Sequence, residues 1–537
     1  MHNSILLALW AAISFVLYKI YALAANEFHH RKRERELGCK RPPLIKGRDP
    51  IGIENIRRLL KADRECRMPQ YLKERTEAVC EKEGKQLSTF YQNLLGSGAI
   101  FTVDPKNIQT VLATQFKDFG LGDARNHNFR PLLGHGIFAS DGKQWEHSRA
   151  LLRPQFAREQ VSDLDLEERH VQNMMRCIRV NPDGWTDLTN IQSLFFRLTI
   201  DSATEFLFGE SVDSQLSSLP GYSSNKPAVE IDEKEFAFAF DKAQASIAKA
   251  ARFGDGYWMA HNAEFRAYCK RCHTFIDHYV NIALSKPKDP QTPASRKQKY
   301  VFLDALVEST RDPIELRMQL LNILLAGRDT TASLLSYVFM TLIEHPLIFN
   351  KLRATILEDF GTYDNPKEIT FSGLKSSNYL QWVLNETLRL YPVVPLDGRR
   401  ALVDTTLPTG GGPDGRSPVY VRKGEQVDYS VYVMHRRKDL WGPDADVFKP
   451  ERWDGRRSGW EYLPFNGGPR ICIGQQFALT EAGYVTVRLL QRFDSLVGES
   501  NSWEGVEKGG VGWVRQWVTL TSCPADGVKV RMREAKA

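Results

Sequence analysis

Apolar and polar positions divide the chain into regions of different texture. Residues 5–25 are almost continuously apolar, with Lys19 as the single charged residue among them. Helical spacing of apolar residues then dominates from Ile51 to Tyr391. After Pro392, short β-branched and aromatic runs alternate with Gly/Pro turns, which predicts small sheets. The pattern indicates a mainly α protein with a minor β part.

Smaller features complete this outline. Polar loops rich in Ser, Pro and Gly are predicted at residues 214–227 and 285–299. Helical spacing returns at residues 475–493, and the last 25 or so residues predict another hairpin. We expect three parts: an anchor at residues 1–25, a basic and proline-rich linker at 26–48, and one large domain at 49–537.

The N-terminal apolar run is long enough to cross a membrane, which takes about 20 residues. The basic cluster at residues 29–35 follows the run, whereas a cleaved signal peptide carries its positive charge before the run. Cleavage remains an alternative, because Ala22–Ala24 resembles a cleavage site. The positive flank predicts a signal anchor that leaves the rest of the chain in the cytosol.

Charge and cysteine content exclude several classes of protein. The 537 residues carry a net charge of +7, a mild excess that does not call for a nucleic-acid partner. Eight cysteines without dense or regular spacing favour reduced thiols over a disulfide-stapled secreted domain. The CxxC pair Cys269 and Cys272 lacks a second pair, so a zinc site is not expected.

One cysteine lies in an unusual stretch, "FNGGPRICIGQQFAL", at residues 465–479. Phe465, Gly468, Arg470 and Gly474 surround Cys472 at fixed spacings. Positive charge and a following helix N-terminus stabilise a thiolate, and glycines let the backbone approach a flat ligand. The alternative is a buried structural cysteine in a glycine turn.

This stretch resembles the haem-binding loop of the cytochrome P450 superfamily. The resemblance covers residue 38 to the C-terminus and implies a cytochrome P450 fold. It also implies that Cys472 is the axial ligand of the iron of haem b, the ligation that favours O–O cleavage. Phe465, Arg470, Gly468 and Gly474 would then be cofactor-binding residues.

Residues 320–345 are apolar nearly all round, as in a helix through a core, but the helix contains "AGRDTT". Asp329 or Thr330 could instead cap a second helix. The family resemblance implies that Thr330 takes part in oxygen activation and proton relay, and that Asp329 connects this relay to solvent.

Glu386 and Arg389 are i, i+3 neighbours in "LNETLRLYP". Such a pair is usually a surface ion pair of little value, but apolar neighbours indicate partial burial. The resemblance implies a structural network of Glu386, Arg389 and Arg452.

Trp145 and Arg149 lie one helical turn apart. A core tryptophan beside a solvated arginine is the alternative to a role in cofactor binding. The resemblance implies that both residues bind a haem propionate. Arg399 occupies the position of another propionate partner, with Arg400 adjacent, and Arg470 adds a further contact.

The resemblance also implies the partners. Electrons would come from NADPH through a separate reductase, with cytochrome b5 as a possible second donor. The protein would be a single-pass protein of the endoplasmic reticulum membrane, with its catalytic domain in the cytosol.

Phrases such as "LLNILLAGRDTTA" are closest to the fungal alkane- and fatty-acid-hydroxylating family. We therefore expect hydroxylation of a fatty acid or alkane at or near the chain terminus. Tailoring of a polyketide or other hydrophobic metabolite is the alternative. A hydroperoxide-rearranging enzyme and a non-catalytic haem binder are remote ones.

Overall fold

The computed structural model describes residues 2–45, 49, 52–94, 97–156, 164–222, 233–286, 300–498 and 514–536. They form two compact units. Unit 1 comprises residues 1–56, 75–120 and 398–429, and unit 2 comprises residues 57–74, 121–397 and 430–537. Of the predicted loops at residues 214–227 and 285–299, residues 223–227 and 287–299 lie outside the described residues, and residues 214–222 form turns and one short 3-10 helix.

Helices make up most of the described structure, and the mainly α class with small sheets is confirmed. In chain order they are α1 His2–Glu36, α2 Ile53–Arg64, α3 Met68–Glu83, α4 Pro105–Gln109, α5 Asp123–Leu133, α6 Gly142–Leu152, α7 Leu164–Arg176, α8 Ile191–Phe208, α9 Glu233–Ala251, α10 Ala263–Ser285, α11 Phe302–Ser309, α12 Pro313–Glu344, α13 Pro346–Phe360, α14 Phe371–Ser376, α15 Asn378–Leu390, α16 Val431–Met434, α17 Lys438–Trp441 and α18 Gln475–Arg492.

The strands are short, and their bounds follow in chain order. They are β1 Leu44–Ile45, β2 Thr89–Leu94, β3 Ser97–Thr102, β4 Phe119–Gly120, β5 Thr189–Asn190, β6 Asp397–Ala401, β7 Thr405–Gly411, β8 Ser417–Val421, β9 Gln426–Tyr429, β10 Phe493–Gly498, β11 Gln516–Val518, β12 Ser522–Pro524 and β13 Lys529–Glu534.

Unit 1 is built on a six-stranded sheet of order β1-β2-β3-β9-β6-β4 and a two-stranded sheet of β7 and β8. Strands β2 and β3 form an antiparallel hairpin in which Thr89 pairs with Thr102. This hairpin lies in the region where the sequence pattern predicted mainly helices. Its strands are rich in β-branched and aromatic residues, which fit a pleated, half-buried surface better than a helix.

Helix α1 also belongs to unit 1, and it is the one described helix with the length and composition of a single membrane span. Its apolar side chains are exposed. The helix continues past the apolar run, and its polar end is paired within the unit. Glu27 accepts hydrogen bonds from Arg41 at 3.1 Å and from Arg422 at 2.8 Å. His30 lies 3.1 Å from the Tyr420 hydroxyl.

Unit 2 is organised around helix α12. Asp312 caps the helix by accepting the Ile314 N–H at 2.9 Å, and Pro313 occupies the first turn. The 32-residue helix ends at Glu344, two residues before Pro346, and most of its length is buried. Helices α7, α8, α13, α15 and α18 pack around it in one hydrophobic core.

Two small sheets complete unit 2. Strands β11 and β12 form the hairpin that the sequence predicted near the C-terminus. Strand β13 instead pairs with β10 and β5. The C-terminal segment therefore closes a sheet with strands that are distant in the sequence.

Candidate active site

The Cys472 loop is held by backbone hydrogen bonds. The Cys472 N–H donates to the Phe465 carbonyl at 3.0 Å, so the two ends of the motif face each other. Gly468 has φ +68°, a left-handed conformation that favours glycine. At Gly467 the reason is different, because a Cβ would lie 2.7 Å from the ring of Trp460. The loop then enters α18 through Gly474.

The Cys472 side chain is exposed, yet burial raises the pKa of its thiol. The exposed surface and the raised pKa are compatible when the thiol faces an internal space that is surrounded by protein rather than bulk solvent. A backbone N–H of Gly474 and the charge of Arg149 oppose this rise in pKa. Both groups stabilise a thiolate, as expected for a cysteine near a helix N-terminus and a cation.

A cavity of about 840 Å³ adjoins this loop. Its volume lies within the range of about 300–1,000 Å³ found for small-molecule and cofactor pockets. Basic, aromatic and aliphatic side chains share the lining. The lining residues are Trp145, Arg149, Arg153, Pro154, Phe156, Gly468, Pro469, Ile471 and Ile473.

These residues fit haem. A thiol is an axial donor for haem iron, and guanidinium groups match carboxylates such as propionates. Arg149 lies close enough to interact electrostatically with the Cys472 thiol, and burial lowers the pKa of its guanidinium. Ile471 and Ile473, on either side of the cysteine, add apolar surface to the cavity.

Trp145 lines the cavity and packs against two arginines, Arg149 in the lining and Arg470 next to it. Its ring lies 4.4 Å from the guanidinium carbon of Arg470 and 5.8 Å from that of Arg149. Arg470 also donates to an oxygen of Asp141 at 2.7 Å and to the Ser140 carbonyl at 3.1 Å. The structure thus brings together three of the predicted cofactor residues, two from α6 and one from the cysteine loop.

Helix α12 is continuous through "AGRDTT", so neither Asp329 nor Thr330 caps a separate helix. Ala326, Gly327 and Thr330 keep partly exposed surface within an otherwise buried stretch. Residues at i, i+1 and i+4 share one face, so this face borders open space. The Thr330 hydroxyl donates to the Ala326 carbonyl at 2.6 Å.

Asp329 is buried, and burial raises the pKa of its carboxyl group, with Arg328 opposing the rise. Its carboxylate lies 3.6 Å from Nε of Arg328. Arg328 in turn pairs with Asp241 of α9, whose side chain is 57% exposed. A chain of charged groups therefore leads from Asp329 to the surface.

Glu386, Arg389 and Arg452 come together as one network. Arg389 forms a bidentate pair with Glu386 at 2.9 and 2.8 Å, and both side chains are 0% exposed. Arg452 reaches the same carboxylate at 3.3 Å and also donates to Asp444 at 2.8 Å. The pair is more deeply buried than the expected partial burial.

Arg399 belongs to unit 1, whereas the other candidate residues belong to unit 2. It is buried in β6 and donates to the Gly398 carbonyl at 2.7 Å. Its predicted role as a propionate partner stays a prediction.

Two residues near the buried network were missed by sequence reasoning. The Trp453 indole donates to Glu386 at 3.1 Å. His435 donates through Nδ1 to the Arg389 carbonyl at 3.0 Å and accepts the Leu463 N–H through Nε2 at 2.9 Å. The position of Trp453 directly after Arg452 could have indicated that it belongs to the network, whereas the sequence around His435 gave no such indication. Among the described residues, no cluster of His, Cys, Asp and Glu could hold a metal ion.

Together, the mainly helical fold with small sheets and the glycine-rich cysteine loop define a haem-thiolate class of protein. The cytochrome P450 family model matches residues 68–516. The chain belongs to the cytochrome P450 family.

Fungal relatives match nearly the whole chain. It is 52% identical over 528 residues to cytochrome P450 monooxygenase g430 of a Fusarium species, which covers 97% of this chain and 90% of the relative. It is 48% identical to cytochrome P450 52A13 of Debaryomyces hansenii, over 88% of each chain. It is 44% identical to cytochrome P450 monooxygenase alt2 of Alternaria solani, over 92% of each chain.

Family membership establishes the general activity. The protein is a cytochrome P450 monooxygenase that uses haem b and receives electrons from a reductase partner. Its substrate is hydrophobic.

Proposed function

We propose that Cys472 would bind the haem iron through its sulfur. The observation that carries this proposal is an exposed thiol at an interior position, next to Arg149 and beside an 840 Å³ cavity. Bound haem supplies the activation of oxygen, and a thiolate ligand favours O–O cleavage. The role of the cysteine loop is to present the thiolate in a fixed position.

Arg149, Arg470 and Trp145 would orient the cofactor in this proposal. Arg149 and Arg470 offer guanidinium groups to the propionates, and the indole N–H of Trp145 adds a donor. Because carboxylates are costly to bury without compensating charge, these groups also stabilise the loaded state.

Helix α12 supplies protons in this proposal. The Thr330 hydroxyl holds a proton on the open face of the helix, where it is already oriented by the Ala326 carbonyl. Asp329, Arg328 and Asp241 form a polar route from the surface, along which water would carry protons because the Arg328 guanidinium itself does not release one. Such a relay performs general acid catalysis in a site that otherwise excludes water.

For the substrate, we propose a fatty acid or alkane that is hydroxylated at or near its terminus. The support is the resemblance of the helix α12 and cysteine-loop motifs to the fungal alkane- and fatty-acid-hydroxylating family. Relatives named 52A13 and 52A5 are 48% and 52% identical to this chain. Tailoring of another hydrophobic metabolite is the second candidate, because the similarity to g430 is equally high and covers more of the chain.

For the location, we propose the endoplasmic reticulum membrane, crossed once by α1, with the catalytic part in the cytosol. The exposed apolar residues of α1 and the basic cluster after them support this orientation. The electron donor is an NADPH-dependent reductase, with cytochrome b5 as a second proposed donor.

Substitution of Cys472 tests the ligand assignment. We expect C472S to lose the thiolate-type spectrum of the reduced carbonyl complex, because a serine oxygen does not replace the sulfur donor. C523S is the matched control, since Cys523 is a half-buried cysteine with no proposed role. A thiolate-type spectrum that persists in C472S refutes the assignment.

A ligand screen separates the two substrate candidates. Purified full-length protein is titrated with fatty acids, alkanes and hydrophobic metabolites, and the shift in ferric spin state is measured. Binders are then incubated with reductase and NADPH, and the products are identified. Terminal or near-terminal hydroxylation supports the first candidate, whereas turnover of metabolites alone supports the second.

A further inference from the structure

Asp141 occupies a helix-capping position without acting as a cap. It is the N-cap residue of α6, where Asp normally accepts an N–H of the first turn. Its side chain makes no such hydrogen bond. Asp312 at the start of α12 shows the usual arrangement, accepting the Ile314 N–H at 2.9 Å. The Asp141 carboxylate is therefore available for other partners.

One set of partners comes from the segment that leads into α5. Asp141 accepts the Leu121 N–H at 2.9 and 3.1 Å and the Gly122 N–H at 3.2 Å. It also accepts the side-chain amide of Asn126 at 2.9 Å. The carboxylate thus binds two backbone N–H groups and one side-chain amide of residues 121–126.

The other partner is Arg470 of the cysteine loop. Arg470 donates to Asp141 Oδ1 at 2.7 Å, and its side chain is only 9% exposed. A charge-assisted hydrogen bond at this depth is stronger than one in solvent. Asp141 therefore joins residues 121–126 to the loop of Cys472 and compensates part of the charge of Arg470.

A second carboxylate makes a parallel connection. Asp397 accepts Arg125 of α5 at 2.6 Å and Asn466 of the cysteine loop at 3.3 Å. Two carboxylates therefore connect the start of α5 to the cysteine loop, and Asp141 does so through Arg470.

The far end of α5 is connected to α12, the helix of Thr330. Asn322 donates to the Leu133 carbonyl at 2.9 Å and accepts the Phe138 N–H at 3.1 Å. The α5 region thus contacts both elements that carry the proposed chemistry.

We propose that Asp141 is a positioning residue that holds residues 121–126 and Arg470 in one network and limits the positive charge beside the cofactor. This inference rests on the proposed role of Cys472 as the iron ligand. Reduction adds an electron to the cofactor, and nearby positive charge favours the reduced form. Loss of the Asp141 charge must therefore raise the reduction potential.

The test compares D141N with D141E, D397N and D312N in full-length holoprotein. Two quantities are measured: the reduction potential by spectroelectrochemistry, and the hydrogen exchange of the Leu121 and Gly122 amides. We expect D141N to shift the potential to a more positive value and to accelerate exchange at both amides. D397N and D312N remove the same charge from carboxylates that do not accept the Leu121 or Gly122 N–H, so neither reproduces the combined effect.

D141E retains the negative charge. If D141N does not bind haem, D141E still allows the inference to be tested. We expect D141E to keep the wild-type potential but to accelerate exchange, because the longer side chain misplaces the carboxylate. A wild-type potential in haem-loaded D141N, or wild-type exchange in D141N or D141E, refutes the inference. Wild-type protein without a thiolate-type carbonyl spectrum instead refutes the ligand assignment.

Discussion

At the scale of single residues, complete pairing decides where charges can be buried. The fully buried carboxylate of Glu386 accepts hydrogen bonds from Arg389, Arg452 and Trp453. A buried charge that loses its partner costs about 3–5 kcal/mol. The network therefore holds together the loop after α17 and helix α15 only while all its members are present.

Thr330 can be distinguished from its neighbour Thr331. We expect T330A to bind haem but to divert reducing equivalents to hydrogen peroxide, because the hydroxyl on the open face of α12 is lost. The ratio of peroxide formed to NADPH consumed measures this effect and is expected to rise several-fold.

T331A is the matched control, because Thr331 is buried in the same helix on a different face. Coupling that falls equally in T330A and T331A would point to a general effect on the helix instead of proton relay.

His435 makes the stability depend on pH. Burial and the charge of Arg389 lower the pKa of His435 to about 3, whereas an unfolded histidine has a pKa of about 6.5. Below pH 6.5 the unfolded chain gains a proton that the folded chain does not accept. We therefore expect the free energy of unfolding to fall by up to about 1.4 kcal/mol per pH unit between pH 6.5 and 3.

H435N provides the comparison, since an amide can still donate to the Arg389 carbonyl but does not titrate. Denaturant unfolding from pH 7 to pH 4 is expected to give a shallower decline for H435N than for the wild type. Parallel declines would show that other groups cause the acid sensitivity.

At the scale of elements, spacing predicted contacts within one helical turn, whereas pairings between distant segments were either implied by the family resemblance, as for Arg452 with Glu386, or missed. The spacing of Glu386 and Arg389 on one helical turn indicated their contact directly. The contact of Asp141 with Arg470 spans 329 positions and depends on how α6 packs against the cysteine loop. The β2–β3 hairpin was not predicted, because apolar residues at helical spacing dominate the sequence around it, although its Thr, Phe and Tyr content favours strand.

Two glycines in contact with α12 or within it should respond differently to substitution by alanine. A Cβ at Gly136 would lie 2.1 Å from the Asn322 amide, whereas a Cβ at Gly327 meets only Ala203 at 3.9 Å. We expect G136A to destabilise the protein by about 1–3 kcal/mol through overpacking. G327A is expected to stabilise it by about 0.5–1 kcal/mol, since alanine is the better helix former.

Thermal unfolding of the two variants measures both effects. Equal stability of G136A and the wild type would mean that Asn322 can move without loss. Destabilisation by G327A would mean that the helix requires local flexibility at this position.

At the scale of the whole molecule, the anchor and the catalytic residues belong to different parts of the chain. Helix α1 lies in unit 1, whereas Cys472, Arg149 and Thr330 lie in unit 2. Membrane attachment and cofactor binding should therefore be separable.

Deletion of residues 2–25 tests this separation. We expect the truncated protein to leave the membrane fraction and to keep the thiolate-type carbonyl spectrum. Replacement of residues 5–25 by leucines and alanines should restore sedimentation with membranes, because length and hydropathy decide insertion. Sedimentation of the truncated protein with membranes would contradict the anchor, and a mature N-terminus after Ala24 would show cleavage.

The pairing of Glu27 with Arg41 and Arg422 has a consequence for bilayer thickness. A 35-residue helix is about 52 Å long, against about 30 Å for the hydrocarbon core of a bilayer. Because the polar end of α1 is fastened to unit 1, the helix cannot pivot freely to absorb a mismatch. With the proposed anchor in place, a thicker or thinner bilayer would change the height of unit 1 above the lipid surface. Lipid composition would then control how readily a hydrophobic substrate passes from the membrane into the protein.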